Sequence, residues 1–357
     1  MSNAIKISAE HEYEILFSDL NSANLEPILI GATKVAVIVP EQLLSMAKSL
    51  QERVAKEPGI QEIVIIEVGE GENQKSLETV NRCWSRLAAA NFKRTDSVIG
   101  IGGGATTDVA GFVAATWLRG IKWGAIPTSL AGMVDAAIGG KTGINTEAGK
   151  NLVGAFHSPR LVVIDINFLR TLPKEEMRAG MAEVIKTGFI SDQEILRIIE
   201  SEEDVLDVAN PKLAELIKRS VAVKAEVVSQ DLKESYLREN LNYGHTLAHA
   251  IERHQNYSWR HGDAVAVGLA YVANLAYLTG FASEELRDRH IKILEKMGLP
   301  TRYPAEAWPD LLKGMQNDKK ARASGLRFVA VNGNYEVIRL EGLSDDALHQ
   351  AYERISS

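Results

Sequence analysis

A cluster of histidines lies in the second half of the chain. Four of the eight histidines, His245, His249, His254 and His261, fall between residues 245 and 261. On a helix, His245 and His249 would lie one turn apart on one face, which suits two metal ligands or a ligand and a base. Thr246 stands where the metalloprotease motif H-E-x-x-H has Glu. The cluster predicts a metal or acid–base site of another type, and a chance group of structural histidines is the alternative.

An acid and a lysine occur at helical spacing earlier in this half. Glu183 and Lys186 are three positions apart and would share one face of a helix. A plain surface ion pair explains them equally well, so a catalytic interpretation depends on the histidine cluster. Two histidines and one acidic residue are the usual protein ligands of a catalytic divalent cation that keeps positions open.

A glycine-rich turn occurs near residue 100. Gly100-Ile101-Gly102-Gly103-Gly104-Ala105 fits G-x-G-x-x-G/A at the junction of a strand and a helix. Such glycines let the backbone approach a diphosphate, and the helix N-terminus offers free N–H groups. No acidic residue follows about twenty positions later to hold a ribose, so a tight turn that binds nothing is the alternative. Asp108 is either a cofactor contact or an ordinary first-turn acid.

A second glycine-rich segment runs from Asp135 to Thr142. It ends in Gly-Lys-Thr like a P-loop, but Asp135 stands where that motif needs Gly, which excludes an ATPase of this kind. What remains is a predicted loop that offers Lys141, followed by Lys150 and Asn151. Lysines on glycine-rich loops suit a phosphate or a carboxylate; a solvated loop is the alternative.

Composition excludes several other classes. The 357 residues carry a formal net charge of −7 and no long basic run, which makes nucleic acid and acidic membranes poor partners. The lone Cys83 excludes an internal disulfide framework and is expected in a core. No apolar run is long enough to span a bilayer, and the charged N-terminal region does not resemble a signal peptide. We expect a soluble cytoplasmic protein.

The elements that must position these residues fall into two domains. Short β-branched runs alternate with helical segments in the first half, which predicts a mostly parallel sheet covered by helices. From Glu175 to about Gly298 the apolar period is helical, and near the C-terminus Asn332-Gly333-Asn334 predicts a hairpin. We therefore expect an α/β domain over residues 1–172, a helical domain over residues 173–357, and a ligand-binding cleft between them. The predicted strands are Val35–Val39, Ile63–Val68, Ser97–Ile101, Lys122–Ile126 and Leu161–Asp165, and the predicted helices between them include Leu43–Ala55, Leu77–Ala90 and Ala105–Leu118.

Taken together, these motifs resemble the 3-dehydroquinate synthase family over nearly the whole chain. The resemblance implies a Rossmann-like N-terminal domain followed by an all-helical C-terminal domain, bound NAD, a zinc or cobalt ion, a small-molecule substrate and a homodimer. The matching stretches are 102–119, 127–151, 182–186, 237–252, His261-Gly262 and Asp318-Lys319-Lys320.

The resemblance also assigns roles to individual residues. The implied metal ligands are Glu183, His245 and His261, and His249 becomes a nearby acid–base group. The implied substrate ligands are Lys141, Lys150, Asn151, Lys224, Arg238, Asn242 and Lys320, with Arg119 reaching the phosphate in a neighbouring subunit. Asp135, Lys186 and Glu234 join His249 and Lys141 in the catalytic pocket. The implied NAD contacts are Glu72, Lys75, Gly103, Gly104, Asp108, Thr128, Lys141, Lys150, Thr171 and Leu172.

The chain departs from the family pattern at a few positions. Ala248 stands where many members have Gly, and Ala105-Thr106-Thr107 replaces a more common Val-Ile-Gly. Pro40-Glu41 lies where Asp or Asn often contacts the adenosine ribose, which leaves that contact open. None of these changes removes a charged catalytic group.

The implied reaction converts 3-deoxy-D-arabino-heptulosonate 7-phosphate into 3-dehydroquinate and phosphate. It proceeds by transient oxidation with NAD, phosphate elimination, reduction and intramolecular aldol closure. Three alternatives remain: a metal-dependent polyol dehydrogenase, a non-catalytic NAD-binding scaffold, and a cyclase of sedoheptulose 7-phosphate. The last acts on a substrate without the carboxylate and has less use for Arg238 and Lys150-Asn151.

Overall fold

The chain divides into two compact units. The computed structural model describes residues 3–233, 236–318 and 326–357. The first unit comprises Met1–Leu172 and Lys224–Lys233, and the second comprises Pro173–Val223 and Glu234–Ser357. In the described ranges, no helix combines the length and the apolar composition needed to cross a bilayer.

A seven-stranded sheet forms the centre of the first unit. It consists of β1 Ala4–Ser8, β2 Glu12–Phe17, β3 Lys34–Pro40, β4 Glu62–Val68, β5 Ser97–Gly102, β6 Lys122–Pro127 and β9 Leu161–Ile164. The strand order is β1-β2-β9-β6-β5-β3-β4, and every neighbouring pair is parallel except the edge pair β1–β2. Strands β3, β5 and β9 are apolar and almost wholly buried, as parallel strands covered on both faces must be. All five predicted strands are confirmed.

Four helices belong to this unit: α1 Glu26–Leu29, α2 Leu44–Val54, α3 Leu77–Ala89 and α4 Gly104–Thr116. The side chain of Ser76 caps α3 by accepting from the Thr79 amide at 3.2 Å. Cys83 in α3 is fully buried, as expected for a core residue. The predicted helices are therefore confirmed.

The predicted glycine-rich loop after Gly140 is wrong. Lys141 opens β7 (Lys141–Thr146), and Lys150 and Asn151 lie in β8 (Gly149–Phe156), which pairs with β7 as an antiparallel hairpin. Gly143 and Gly154 explain this arrangement, because an added Cβ on Gly154 would lie 2.3 Å from the carbonyl oxygen of Thr142. The glycines serve close strand pairing and not loop flexibility.

The described residues of the second unit are mainly helical. Its helices are α5 Lys174–Ile190, α6 Gln193–Ser201, α7 Pro211–Gln230, α8 His245–His254, α9 His261–Leu278, α10 Glu284–Lys296, α11 Trp308–Asp318 and α12 Asp345–Glu353. Helices α5 and α9 are buried on all sides over most of their length and form the core of the unit. Residues of α7 up to Val223 belong to this unit, and its remaining residues belong to the first. The predicted C-terminal hairpin is confirmed as β10 Arg327–Val331 and β11 Val337–Glu341.

Candidate cofactor, metal and substrate sites

Three side chains from three helices of the second unit converge on one point. One ligand atom each of Glu183 in α5, His245 in α8 and His261 in α9 lie within 4.8 Å of one another. The Nε2 atoms of His245 and His261 lie 3.5 and 3.3 Å from Oε1 of Glu183. One carboxylate and two imidazole nitrogens form a donor set suited to a divalent transition-metal ion.

The other ring nitrogen of each histidine has an acceptor of its own. Nδ1 of His245 lies 3.0 Å from the carbonyl oxygen of Tyr243, and Nδ1 of His261 lies 3.4 Å from Oε2 of Glu252. With Nδ1 on these acceptors, Nε2 is the nitrogen that each ring turns towards Glu183. Both histidines would therefore offer Nε2 to a cation bound at that carboxylate.

Glu183 is a buried anion held by charge. Its side chain is 2% exposed, as is that of Lys186, with which it forms an ion pair, so the alternative of a surface pair is wrong. Burial alone would raise the pKa of Glu183, but Lys186 and the two histidines hold it well below the ordinary value. Oε1, which faces the two imidazoles, has no hydrogen-bond partner among the described residues, whereas Oε2 lies against the Lys186 ammonium. A buried carboxylate oxygen in that position fits a site that receives a cation.

Glycines set the distances between the helices that carry the triad. A Cβ added to Gly262, next to His261, would lie 1.8 Å from the carbonyl oxygen of Ala179 in α5. A Cβ on Gly268 in α9 would lie 2.0 Å from the carbonyl oxygen of Gly244, which precedes His245 and has φ +79°. Backbone therefore meets backbone at both junctions. The glycines beside the histidines are the sequence signal for this packing, and pattern analysis missed it.

His249 lies outside the triad. Its ring centroid is 5.5 Å from that of His245 in an edge-to-face arrangement, and its side chain still reaches solvent. Surrounding protein atoms, and after them His245, lower the pKa of His249 below the ordinary histidine value. A neutral imidazole next to the metal candidates can accept a proton. Its acid–base role stays a prediction.

In the first unit, the glycine turn joins β5 to α4 and lies beside the end of β6. An added Cβ on Gly104 would lie 2.8 Å from the Cβ of Ala136. The amide of Thr128 donates to the carbonyl of Gly102 at 2.9 Å, which brings Thr128 against the turn. Gly103 is the N-cap of α4 and leaves the first amides of that helix available to an anion. Gly103, Gly104 and Thr128 are thus brought together.

Lys75 is the centre of a polar network in this unit. It is 4% exposed, and its Nζ donates to Oδ2 of Asp108 at 2.6 Å and to the side chain of Asn151. Glu72 lies 3.8 Å from Lys75 and 3.7 Å from Lys150. Burial raises the pKa of Asp108, and Lys75 opposes that shift. Five residues predicted to bind NAD or substrate therefore meet here.

Asn145 belongs to the same network but was not predicted. Its side chain donates to Oε1 of Glu72 at 2.7 Å and accepts from the amide of Asn151 at 3.0 Å. Its backbone amide donates to the carbonyl of Lys75 at 2.8 Å. These contacts depend on the pairing of β7 with β8. Because residues 141–156 were interpreted as a loop, the sequence did not indicate that Asn145 would lie beside Glu72 and Asn151.

Half-buried Asp135 and buried Lys224 form an ion pair in the first unit. Asp135 lies in a π-helical turn, Gly132–Ala136, and Nζ of Lys224 donates to both its carboxylate and its carbonyl oxygen at 2.5 Å. Lys141 is exposed at the start of β7, at the other end of the hairpin from Lys150. Lys150 therefore joins the Lys75 network, whereas Lys224 pairs with Asp135.

The remaining NAD and subunit-bridging candidates lie elsewhere on the first unit. Thr171 ends the 3₁₀ turn Ile166–Thr171 that follows β9, its hydroxyl donates to the carbonyl of Phe168 at 3.2 Å, and Leu172 comes next. Arg119 is exposed and has φ +67°, between Leu118 at +49° and Gly120 at +118°. Three consecutive left-handed residues hold Arg119 away from the end of α4.

Arg238 and Asn242 lie in a 3₁₀ turn of the second unit, Leu237–Asn242, that ends before α8. The two residues do not share a turn of α8, because that helix begins only at His245. Arg238 is 2% exposed, which excludes the surface arginine considered as an alternative. Its neighbour Glu239 accepts from Arg339 at 2.9 Å and Arg327 at 3.1 Å, which ties the turn to the hairpin. Glu234 and Lys320 lie outside the described residues.

The chain matches known proteins over most of its length. Residues 65–179 match the family model described as 3-dehydroquinate synthase N-terminal, and residues 180–321 match the one described as 3-dehydroquinate synthase C-terminal. The 3-dehydroquinate synthase of Corynebacterium diphtheriae is 50% identical over 354 residues, which are 99% of this chain and 98% of that protein.

Solved structures share the fold. The 2-epi-5-epi-valiolone synthase from Streptomyces hygroscopicus, with NAD+ and Zn2+ bound, has a TM-score of 0.88 at 23% identity over 98% of both chains. A 2-deoxy-scyllo-inosose synthase complexed with carbaglucose-6-phosphate, NAD+ and Co2+ has a TM-score of 0.86 at 24% identity, covering 98% of this chain and 99% of that one. The family models span most of the chain and the relative matches it almost end to end, so the chain belongs to the 3-dehydroquinate synthase family.

Proposed function

We propose that the protein is an NAD- and metal-dependent carbon–oxygen lyase that converts 3-deoxy-D-arabino-heptulosonate 7-phosphate into 3-dehydroquinate and phosphate. The buried Glu183 carboxylate, facing the Nε2 atoms of His245 and His261, carries the proposal. Phosphate elimination from an unactivated sugar acid is slow, because no acidic proton neighbours the leaving group. Oxidation of the adjacent hydroxyl to a ketone makes that proton acidic, and a metal site of this kind would assist the oxidation. The family supplies the identity of the substrate.

The residues present fit both cofactors. Zinc or cobalt would be held by Glu183, His245 and His261, and NAD by the Gly103–Gly104 turn, Thr128, the Lys75 network and the Thr171–Leu172 segment. When bound, NAD supplies a reversible hydride acceptor, and the cation supplies a Lewis acid that lowers the pKa of a hydroxyl.

Different side chains of the protein are proposed to stabilise charge and to transfer protons. Lys186 keeps Glu183 ionised, so the triad would offer a cation one carboxylate and two imidazole nitrogens. His249 is neutral near pH 7 and is proposed to accept the proton of a substrate hydroxyl. Lys224 fixes Asp135 through two contacts and so orients a carboxylate in the predicted pocket.

Cationic and amide side chains are proposed to hold the substrate. Arg238 is suited to its carboxylate, because a guanidinium offers two parallel donors to a carboxylate. The remaining proposed ligands of the phosphate and hydroxyls are Lys141, Lys150, Asn151, Lys224, Asn242 and Lys320. Glu234 is proposed to complete the pocket.

We further propose that residues 1–172 bind NAD, that residues 173–357 bind metal and substrate, and that the protein acts as a cytoplasmic homodimer. The exposed position of Arg119, beside the exposed Leu118, supports a role for Arg119 in the partner's site.

The test is turnover with limiting cofactor. The metal-loaded protein is supplied with 3-deoxy-D-arabino-heptulosonate 7-phosphate and less than one equivalent of NAD, and phosphate and 3-dehydroquinate are quantified. Oxidation and reduction occur on one substrate molecule, so we expect many products per NAD and no steady rise in NADH absorbance. Stoichiometric release of NADH would instead assign the protein to the dehydrogenases.

A further inference from the structure

A buried carboxylate next to His261 has no role in the proposed reaction. Glu252 lies in the last turns of α8 and is 4% exposed. Its Oε2 lies 3.4 Å from Nδ1 of His261, the ring nitrogen that points away from Glu183. Its carbonyl oxygen also accepts from the amide of Tyr257 at 2.7 Å. Glu252 therefore contacts both the ring of His261 and the turn that leads to it.

The turn between α8 and α9 contains strained backbone, so His261 depends on side-chain contacts such as that with Glu252 to hold its position. Asn256 and Tyr257 have φ +48° and +61°, values that non-glycine residues seldom adopt without a compensating contact. His261 is the first residue of α9 and is itself 40% exposed at its side chain. A partly exposed ring after a strained turn needs a partner that fixes its rotation if it is to serve as a ligand.

The two histidines of the triad differ in the charge behind them. His245 donates from Nδ1 to a neutral carbonyl, whereas His261 faces a carboxylate. A carboxylate behind a metal-bound imidazole fixes its tautomer and raises its basicity. We propose that Glu252 is a positioning residue that orients His261 and strengthens it as a metal ligand. This inference rests on the metal site proposed above.

The expected effect is on metal affinity. Glu252→Gln keeps the size and a carbonyl acceptor but removes the charge, and should raise the Kd for zinc by about 10-fold. Glu252→Ala also frees the ring to rotate, and should raise the Kd towards about 100-fold. The visible absorption of the cobalt-loaded protein should change in both variants, because the geometry at His261 changes.

The experiment titrates metal-free full-length protein with Zn2+ or Co2+ in competition with a chromogenic chelator, and records thermal unfolding of the metal-free forms. Glu239→Gln is the matched control, since Glu239 is a buried acid of the same unit that pairs with Arg327 and Arg339 of the hairpin. It should lower Tm without changing the Kd for zinc.

Two outcomes separate this inference from the proposed metal site. If Glu183→Gln binds zinc as tightly as the wild type, the metal site itself is wrong. If Glu183→Gln loses zinc while both Glu252 variants keep the wild-type Kd, or lose affinity only as Glu239→Gln does, the role given to Glu252 is wrong. A folded Glu252→Gln with weakened zinc binding and an altered cobalt spectrum supports it.

Discussion

Nε2 of His261 lies 3.3 Å from Oε1 of Glu183, although the two residues are far apart in sequence and lie on different helices. A buried carboxylate loses its hydration, and that loss costs free energy unless a positive charge or a donor lies next to it. At Glu183 this compensation comes from Lys186, from the histidines or from a bound cation. The relationship makes His261 a ligand candidate and sets it apart from His249, whose ring packs against that of His245.

The first prediction separates these two histidines. His261→Ala should lose bound zinc, whereas His249→Ala should keep zinc and lower kcat by roughly 10²–10⁴, the usual contribution of an acid–base group. Metal content after dialysis and steady-state rates measure both. Loss of zinc from His249→Ala with retention in His261→Ala would exchange the two assignments.

The second prediction concerns helix spacing. Gly262→Ala places a Cβ 1.8 Å from a backbone oxygen of α5, so α9 must shift and carry His261 away from Glu183. We expect weaker zinc binding and a Tm lowered by several degrees. Gly314→Ala in α11 is the control, because its Cβ would meet Ala250 at an ordinary 3.5 Å. Equal behaviour of the two variants in both assays would contradict the argument.

The third prediction concerns substrate choice. Arg238→Ala would leave the desolvated substrate carboxylate without its partner, which should cost about 2–5 kcal/mol of binding free energy. The kcat/KM for the heptulosonate phosphate should therefore fall by roughly 30- to several-thousand-fold. Any activity with sedoheptulose 7-phosphate should change little, because that sugar lacks the carboxylate. Arg339→Gln, which removes contacts to Glu239 and Asn240 next to Arg238, should affect both substrates alike. Equal small losses for Arg238→Ala on both would show that Arg238 does not recognise the carboxylate.

The fourth prediction concerns the proposed dimer. Arg119→Ala and His249→Ala proteins, each nearly inactive, are mixed under conditions that exchange subunits. If Arg119 acts across the interface, a mixed dimer contains one site with both residues intact, and activity should recover to a substantial fraction of wild type. Recovery should be absent if Arg119 serves its own subunit. Sedimentation of the mixture checks that dimers form.

The fifth prediction concerns pH. His290 is buried in α10, where Nδ1 lies 2.7 Å from the carbonyl of Leu286 and Nε2 lies 2.7 Å from the hydroxyl of Tyr243. Burial, and with it Arg289, lowers the pKa of His290 to about 3. Below its ordinary pKa the unfolded chain binds a proton that the folded chain refuses, so stability falls as pH drops from about 6.5 towards 3.

The slope from this one group is at most about 1.4 kcal/mol per pH unit. Denaturant unfolding of His290→Gln should therefore show a smaller loss of stability between pH 7 and acidic pH than the wild type shows. His349→Gln, at an exposed position of α12, is the control and should keep the wild-type slope. An unchanged slope in His290→Gln would show that His290 does not contribute.

Much of this architecture could be predicted from local sequence. The five predicted strands are short, apolar and mostly β-branched runs with clear ends, and the C-terminal hairpin has an Asn-Gly turn. The local preferences of these segments therefore agree with the fold. The β7–β8 hairpin was missed because its residues are mostly Gly, Lys, Thr and Asn and much of β8 is exposed, which resembles a loop.

Residues that act through tertiary contacts were beyond local patterns. The histidine cluster pointed to a metal, but Glu252 joins it only because the turn after α8 brings residue 252 against residue 261. Asn145 likewise acquires its partners only through hairpin pairing. The roles of Glu252 and Asn145 depend on their neighbours in the folded structure, and residue type and spacing in the sequence do not indicate those neighbours.

The backbone contacts at Gly244, Gly262 and Gly268 also bear on how this sequence can diverge. Core side chains of α5, α8 and α9 can be exchanged for others of similar volume without altering the separation of the three backbones. Substitution of any of the three glycines would place a Cβ against the backbone of a neighbouring segment and so change the separation of the helices. Sequence drift within the helical core should therefore be wide, while these three positions stay fixed for as long as the lineage retains its metal.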